Sequence, residues 1–221
     1  MTDQEILNRI DHTLLKATAS WEEIKILCDE AVRYKTASVC IPPAYVRPVC
    51  TEYGTSLVIC TVIGFPLGYV CKDIKTHETR RALGDGAREI DMVINIGYVK
   101  NGLFENVSDE ISNIKRICKK NILKVIVETC YLSEEEKIRL CGIVTKAGAN
   151  YIKTSTGLGT AGATLADVEL FKHNVGTGVK IKAAGGIKTR DELEAFIHAG
   201  ADRIGTSSAV KLLAGGASAG Y

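Results

Sequence analysis

What the 221-residue chain lacks narrows its class before any motif is read. It has no run approaching the roughly 18 apolar residues that a membrane-spanning helix needs. It has no excess of either charge, with 28 basic and 26 acidic side chains for a net +2. Without a basic cluster or interleaved aromatics, neither nucleic acid nor an anionic membrane is expected as a partner, although a small local anion site remains compatible. No extended polar tract breaks the 46% hydrophobic composition, which excludes general disorder. The eight cysteines form no C-x-x-C pair, and they are expected to be buried thiols, neither a disulfide framework nor a zinc site. The four histidines, His12, His77, His173 and His198, lack metal-ligand spacing. A metal-dependent mechanism is therefore not expected, and His12 is assigned a structural role. The opening Met1-Thr2-Asp3-Gln4-Glu5 is acidic, unlike the basic start of a signal peptide, so a cytoplasmic protein is the expectation.

What the chain does have is rhythm. Short apolar runs at 38–41, 57–63, 90–94, 125–127, 151–153, 179–183 and 203–205 read as seven strands, with a weaker eighth at 10–15. Helical patterns lie between them, opened by capping boxes at Ser20/Glu23, Ser133/Glu136 and Thr189/Glu192. Strands alternating with helices imply a parallel sheet. Eight units in about 220 residues favour an α/β (β/α)8 barrel over an open doubly wound sheet. The expected layout is one domain over 1–214, with a short N-terminal helix and a flexible glycine-rich tail at 215–221.

A repeat points toward the chemistry. Gly86-Ala87-Arg88-Glu89-Ile90, Gly148-Ala149-Asn150-Tyr151-Ile152 and Gly200-Ala201-Asp202-Arg203-Ile204 each end a helix on glycine and start a strand on isoleucine. The residue after each isoleucine faces the other way: Asp91, Lys153 and Gly205. Period two places Asp91, Val93 and Asn95 inside the barrel, and Lys182 is a further charge inside an apolar strand. Buried charges cost more than they return in stability, so a task is expected of them over a purely structural ion network. Two ammonium groups sharing a low-dielectric pocket disfavour each other's charge, so at least one is expected as a neutral amine near pH 7. A neutral lysine is a nucleophile toward aldehydes, which predicts Schiff-base chemistry, with Asp91 and the second lysine managing protons.

Ala183-Ala184-Gly185-Gly186-Ile187 and Gly205-Thr206-Ser207-Ser208-Ala209 turn from the last two strands into helices. Glycine backbone and hydroxyls there predict a phosphate site. Gly157-Leu158-Gly159-Thr160-Ala161-Gly162 matches a dinucleotide fingerprint, but the next strand ends without the acid that would hold a ribose. It is expected to be a mobile loop beside Lys153.

The segments Glu89-Ile90-Asp91-Met92-Val93-Ile94-Asn95, Lys153-Thr154-Ser155-Thr156-Gly157, Lys182-Ala183-Ala184-Gly185-Gly186-Ile187 and Gly205-Thr206-Ser207-Ser208 resemble the signatures of the deoxyribose-phosphate aldolases. Ile10-Asp11-His12-Thr13, Val39-Cys40-Ile41, Gly64-Phe65-Pro66-Leu67-Gly68 and Val127-Glu128-Thr129 extend the likeness over nearly the whole chain. The resemblance implies Lys153 as the Schiff-base lysine, Lys182 as its modulating neighbour and Asp91 as the acid/base group. It implies a phosphate site at Gly185, Gly186, Ser207 and Ser208, and a C-terminal tyrosine, Tyr221, as a proton relay. It further implies no cofactor, phosphorylated sugar and acetaldehyde as small-molecule partners, and a homo-oligomer. Leu158 stands where some members carry a phosphate-holding lysine, and Lys188 is the expected substitute. Two other readings remain: another Schiff-base sugar-phosphate aldolase or transaldolase, and a barrel that binds a phosphorylated ligand without turning it over.

Overall fold

Eight parallel strands close on themselves in sequence order, in a computed structural model that describes residues 1–214. The strands are β1 (Ile10–Thr13), β2 (Ser38–Ile41), β3 (Ile59–Ile63), β4 (Glu89–Val93), β5 (Ile122–Ile126), β6 (Tyr151–Lys153), β7 (Lys180–Ala184) and β8 (Arg203–Thr206). Each pairs with the next, and β8 pairs with β1. The helix α1 (Asp3–Leu7) precedes β1. The crossovers are α2 (Trp21–Tyr34), α3 (Val46–Tyr53), α4 (Lys72–Gly84), α5 (Ile96–Lys100) with α6 (Phe104–Cys118), α7 (Glu134–Lys146), α8 (Leu165–Asn174) and α9 (Arg190–Ala199). The helix α10 (Ala209–Ala214) follows β8. The expected tail at 215–221, including Tyr221, lies outside the described residues. No helix among them is long and apolar enough to cross a membrane.

The local signals act as chemistry requires. All three expected capping boxes form, and Thr2 with Glu5 makes a fourth. Gly86, Gly148 and Gly200 take φ of +116°, +70° and +124° after α4, α7 and α9, values open mainly to glycine. Ile90, Ile152 and Ile204 then enter the layer between strands and helices, where each is wholly buried.

Three expectations need correction. The fifth strand begins at Ile122, three residues before the expected 125, and so brings Lys124 into the sheet. β4 ends at Val93, and Asn95 caps α5 by accepting from Tyr98 N instead of facing the barrel interior. Among the cysteines, Cys28, Cys40, Cys60, Cys118 and Cys141 are buried, but Cys71 is exposed and Cys50 and Cys130 are half-buried. Cys71 stands at the N-terminus of α4, Cys50 lies within α3 and Cys130 lies in the turn after β5.

One buried ion pair fastens the outer layer to the end of β4. Lys75 Nζ on α4 donates to Glu110 Oε1 on α6 at 2.6 Å and to the Val93 carbonyl at 2.7 Å. The other Glu110 oxygen accepts from Asn95 N at 3.2 Å. Replacing Lys75 by Met strands a buried carboxylate, so a loss of about 3–5 kcal/mol is expected in urea unfolding. The double variant Lys75→Met/Glu110→Leu should recover most of it; an equal loss in both would place the cost in packing and not in charge.

Candidate active site

The barrel interior holds more charge than its sequence suggests. Asp11 on β1, Glu89 and Asp91 on β4, Lys124 on β5, Lys153 on β6, Lys182 on β7 and Arg203 on β8 form one connected network. Asp91 is its hub. Its Oδ2 accepts from Lys153 Nζ at 2.8 Å and from Lys182 Nζ at 2.7 Å, while its Oδ1 accepts from Lys124 Nζ at 2.8 Å and from the Cys60 thiol at 3.1 Å. The sheet register dictates this convergence: Asp91 pairs with Lys124, and Lys153 pairs with Lys182. Lys182 Nζ also meets Asp11 Oδ2 at 2.5 Å. Lys153 has only Asp91 as an ion partner among the described residues, and it is 3% exposed where Lys124, Lys182 and Asp91 are 0%.

Electrostatics in this interior are decided by pairing over desolvation. Burial works against the charge on Lys182, but the Asp11 and Asp91 carboxylates outweigh it and hold the ammonium above the ordinary lysine range. The same balance, with Asp11 and Asp91 again the chief partners, raises Lys124 well above that range. Burial likewise opposes ionisation of Asp11 and Asp91, and the lysines around them hold both well below the usual carboxylate range. The expectation that neighbouring lysines simply repel is therefore corrected: carboxylates are interleaved between them, and Lys182 keeps its proton. Gly205, the third position of the repeat, supplies room instead of charge. A Cβ there would lie 3.0 Å from Lys182 Cε and 3.2 Å from Ala184 Cβ.

Above the network, a cavity of about 600 Å³ opens between the loops after β1, β6, β7 and β8. Its lining includes the expected Gly185, Gly186, Lys188, Ser207 and Ser208, together with Leu158, Lys16 and Lys211. Gly185 and Gly186 adopt φ of +86° and +81°, which turns the chain sharply after β7. Thr206 Oγ1 and Ser208 Oγ lie 2.9 Å apart, and each bonds the Ile187 carbonyl, which joins the two loops. Lys188 forms no ion pair among the described residues, whereas Lys16 pairs with Glu23. The Gly157–Gly162 stretch expected to be mobile is packed against the β7 loop: Ala163 N donates to both Ala184 O and Gly185 O at 3.1 Å, and a Cβ on Gly162 would sit 2.2 Å from Gly185 O.

Sequence reasoning missed Asp11, Glu89, Lys124 and Arg203. The signal that exposed Asp91 and Lys153, one charge between apolar neighbours in a strand, is also present at Lys124 between Leu123 and Val125. His12, expected to be structural, has its Nε2 2.7 Å from Glu30 Oε2 of α2. Two buried groups place possible metal ligands close together, Cys40 with Cys60 and Asp91, and Asp11 with Cys60 and Glu89. The second already surrounds the Lys124 ammonium. In the first, both Asp91 oxygens are committed to lysines. Neither arrangement is an open cation cage.

The chain matches the family model described as DeoC/LacD family aldolase over residues 2–220. It is 56% identical to the deoxyribose-phosphate aldolase of Clostridium botulinum (strain Eklund 17B / Type B) over 221 residues, 100% of both chains. It is 55% identical to that of Clostridioides difficile (strain 630) over 210 residues, 95% of this chain and 96% of the other. Among solved structures it superposes on the tetrameric deoxyribose phosphate aldolase of Aeropyrum pernix with a TM-score of 0.90 and 33% identity, covering 96% of this chain and 91% of that one.

The lowered Asp11 and Asp91 values set the sign of an acid response. Groups that ionise more easily when folded contribute stability above their unfolded pKa, about 4, and lose it only as the pH falls through the lowered folded values. Lys124→Met removes a cation both carboxylates share and should raise the acid-unfolding midpoint by about one pH unit, followed through Trp21 fluorescence. An unchanged midpoint would remove Lys124 from the groups that keep these carboxylates ionised.

Proposed function

The chain belongs to the DeoC/LacD family of aldolases, and from that premise we propose that it reversibly cleaves 2-deoxy-D-ribose 5-phosphate into D-glyceraldehyde 3-phosphate and acetaldehyde through a Schiff base on Lys153. The reading rests on one observation above the others, the sharing of Asp91 Oδ2 between Lys153 and Lys182. Three interior carboxylates, Asp11, Glu89 and Asp91, are matched in number by Lys124, Lys182 and Arg203. Lys153 is then the amine whose charge the site does not need, and it has the fewest ionic partners.

The chemistry follows from that arrangement. The Lys153 amine adds to the C1 aldehyde, and protonated Lys182, relayed by Asp91, gives a proton to the departing water. The resulting iminium is the electron sink. As the C3 hydroxyl loses its proton, the C2–C3 bond breaks, its electron pair forms an enamine, and D-glyceraldehyde 3-phosphate leaves. Protonation of the enamine at C2 and hydrolysis release acetaldehyde and restore the amine. No metal or organic cofactor enters this sequence.

The cavity lined by Gly185, Gly186, Ser207 and Ser208 suits the phosphate, with positive charge from Lys188 in place of the lysine that Leu158 replaces. The role belongs to deoxyribonucleoside catabolism in the cytoplasm, and the tetramer of the A. pernix enzyme supports a homo-oligomer here.

Acetaldehyde with borohydride should leave an ethyl group on Lys153, found by peptide mass mapping, and Lys153→Ala should lose roughly 10⁴-fold or more in kcat with the fold intact. Absence of the adduct would favour a phospho-ligand barrel without turnover, and an adduct without acceptance of acetaldehyde as donor would favour a transaldolase. Lys188→Ala should raise KM for the phosphorylated sugar about tenfold while sparing unphosphorylated deoxyribose, in line with a lost charge-assisted bond. Equal effects on both sugars would place the phosphate elsewhere.

A further inference from the structure

Two thiols on the inner wall of the barrel take no part in the reaction above. Cys40 on β2 and Cys60 on β3 are direct partners in the parallel register, and both are fully buried. With Val62 they form a small cluster apart from the main core, against which Leu15 and Phe65 pack. The two sulfurs and a carboxylate oxygen of Asp91 all lie within 4.8 Å of one another. Cys60 donates to Asp91 Oδ1 at 3.1 Å, and Lys124 Nζ lies 3.1 Å from the same sulfur.

Disulfide geometry is within reach of this pair. Neighbouring strands run roughly 4.7–4.9 Å apart, inside the roughly 4.4–6.8 Å that disulfide-linked Cα atoms span. A cavity also lies beside the pair. A second cavity, about 150 Å³, shares Leu15, Val62 and Phe65 with the cluster that holds the two thiols. A hydroperoxide is small enough to occupy it, and a tripeptide disulfide is not.

We propose that Cys40 and Cys60 form a peroxide-sensitive dithiol whose oxidation to a disulfide switches the neighbouring site off. The Cys40 thiolate attacks one oxygen of hydrogen peroxide, the O–O bond breaks, and a sulfenic acid forms as the first water leaves. The Cys60 sulfur then displaces the sulfenic oxygen as a second water and closes the S–S bond. The two sulfurs together give up two electrons, the peroxide accepts them, and the two thiol protons end in the two waters. The division of roles follows the surroundings. Contact with Cys60 holds the Cys40 thiol below its ordinary range, while burial pushes Cys60 well above it. The disulfide has no S–H, so Asp91 Oδ1 loses a donor and keeps only Lys124, which alters the balance of the carboxylate that positions Lys153 and Lys182 through Oδ2. The loss of activity rests on the aldolase reading, but the linkage does not.

The test is to treat the intact enzyme with hydrogen peroxide, alkylate free thiols, digest without reductant and map the peptides by mass. The expected result is a Cys40–Cys60 linked peptide, lighter by two hydrogens than its parts, that accumulates at the rate activity falls. Dithiothreitol should restore that activity, and Cys40→Ala should keep its own untreated activity under the same dose. Glutathione disulfide should leave the pair free while modifying exposed Cys71. Oxidation confined to Cys50, Cys71 and Cys130 would overturn the proposal, as would a linked peptide in fully active enzyme. A linked peptide in a protein without aldolase turnover would retain the dithiol and sink the functional reading alone.

Discussion

Charge cannot be left unmatched inside a closed barrel. Water is excluded, each desolvated ion costs several kcal/mol, and the cost is recovered only when opposite charges meet in good geometry. Asp91 is where this constraint is met. Four donors converge on its two oxygens, three of them lysines from different strands. Such a network is a poor way to stabilise a fold, because apolar residues of the same volume would serve as well. Its value lies in position: with Lys124 and Lys182 held charged by Asp11 and Asp91, Lys153 is fixed by a single carboxylate and is the most exposed of the three lysines.

The parts of this arrangement that were legible in the sequence share one property. Asp91, Lys153 and Lys182 each follow a buried isoleucine in strands whose limits follow from their own neighbours, so period two alone puts them inside. Lys124 follows Leu123 in the same way, but the run beginning at Val125 was strong enough to hide that the strand starts at Ile122. Asp11 was unreadable for a different reason. Its strand is the weakest of the eight, and its partner Lys182 lies 171 residues away. Only closure of β8 onto β1 brings the two together. The error at Asn95 is the reverse case: the period was extended past the point where a cap ends the strand.

Glycine shapes the site as much as charge does, and its role appears only in three dimensions. Gly205 looked like a gap in a repeat of inward-facing charges, yet the gap is what lets Lys182 extend across the barrel. Gly162 and Gly185 let the loops after β6 and β7 touch backbone to backbone. The loop carrying Leu158 is held against the loop carrying Gly186 and Lys188. Both loops line the cavity, and backbone contacts tie them to each other.

The barrel divides into two working halves, and Asp91 joins them. The cavity of about 600 Å³ is built by loops from β1, β6, β7 and β8, whereas the thiol pair and the Lys75–Glu110 clasp belong to β2, β3 and the helices beside β4. Asp91 stands on β4 yet reaches Lys153 and Lys182 on the far wall. Its Oδ1 reports on Cys60 and Lys124, and its Oδ2 sets the two lysines of the proposed reaction. Cys60 and Lys124 on one side, and Lys153 and Lys182 on the other, therefore share a single carboxylate.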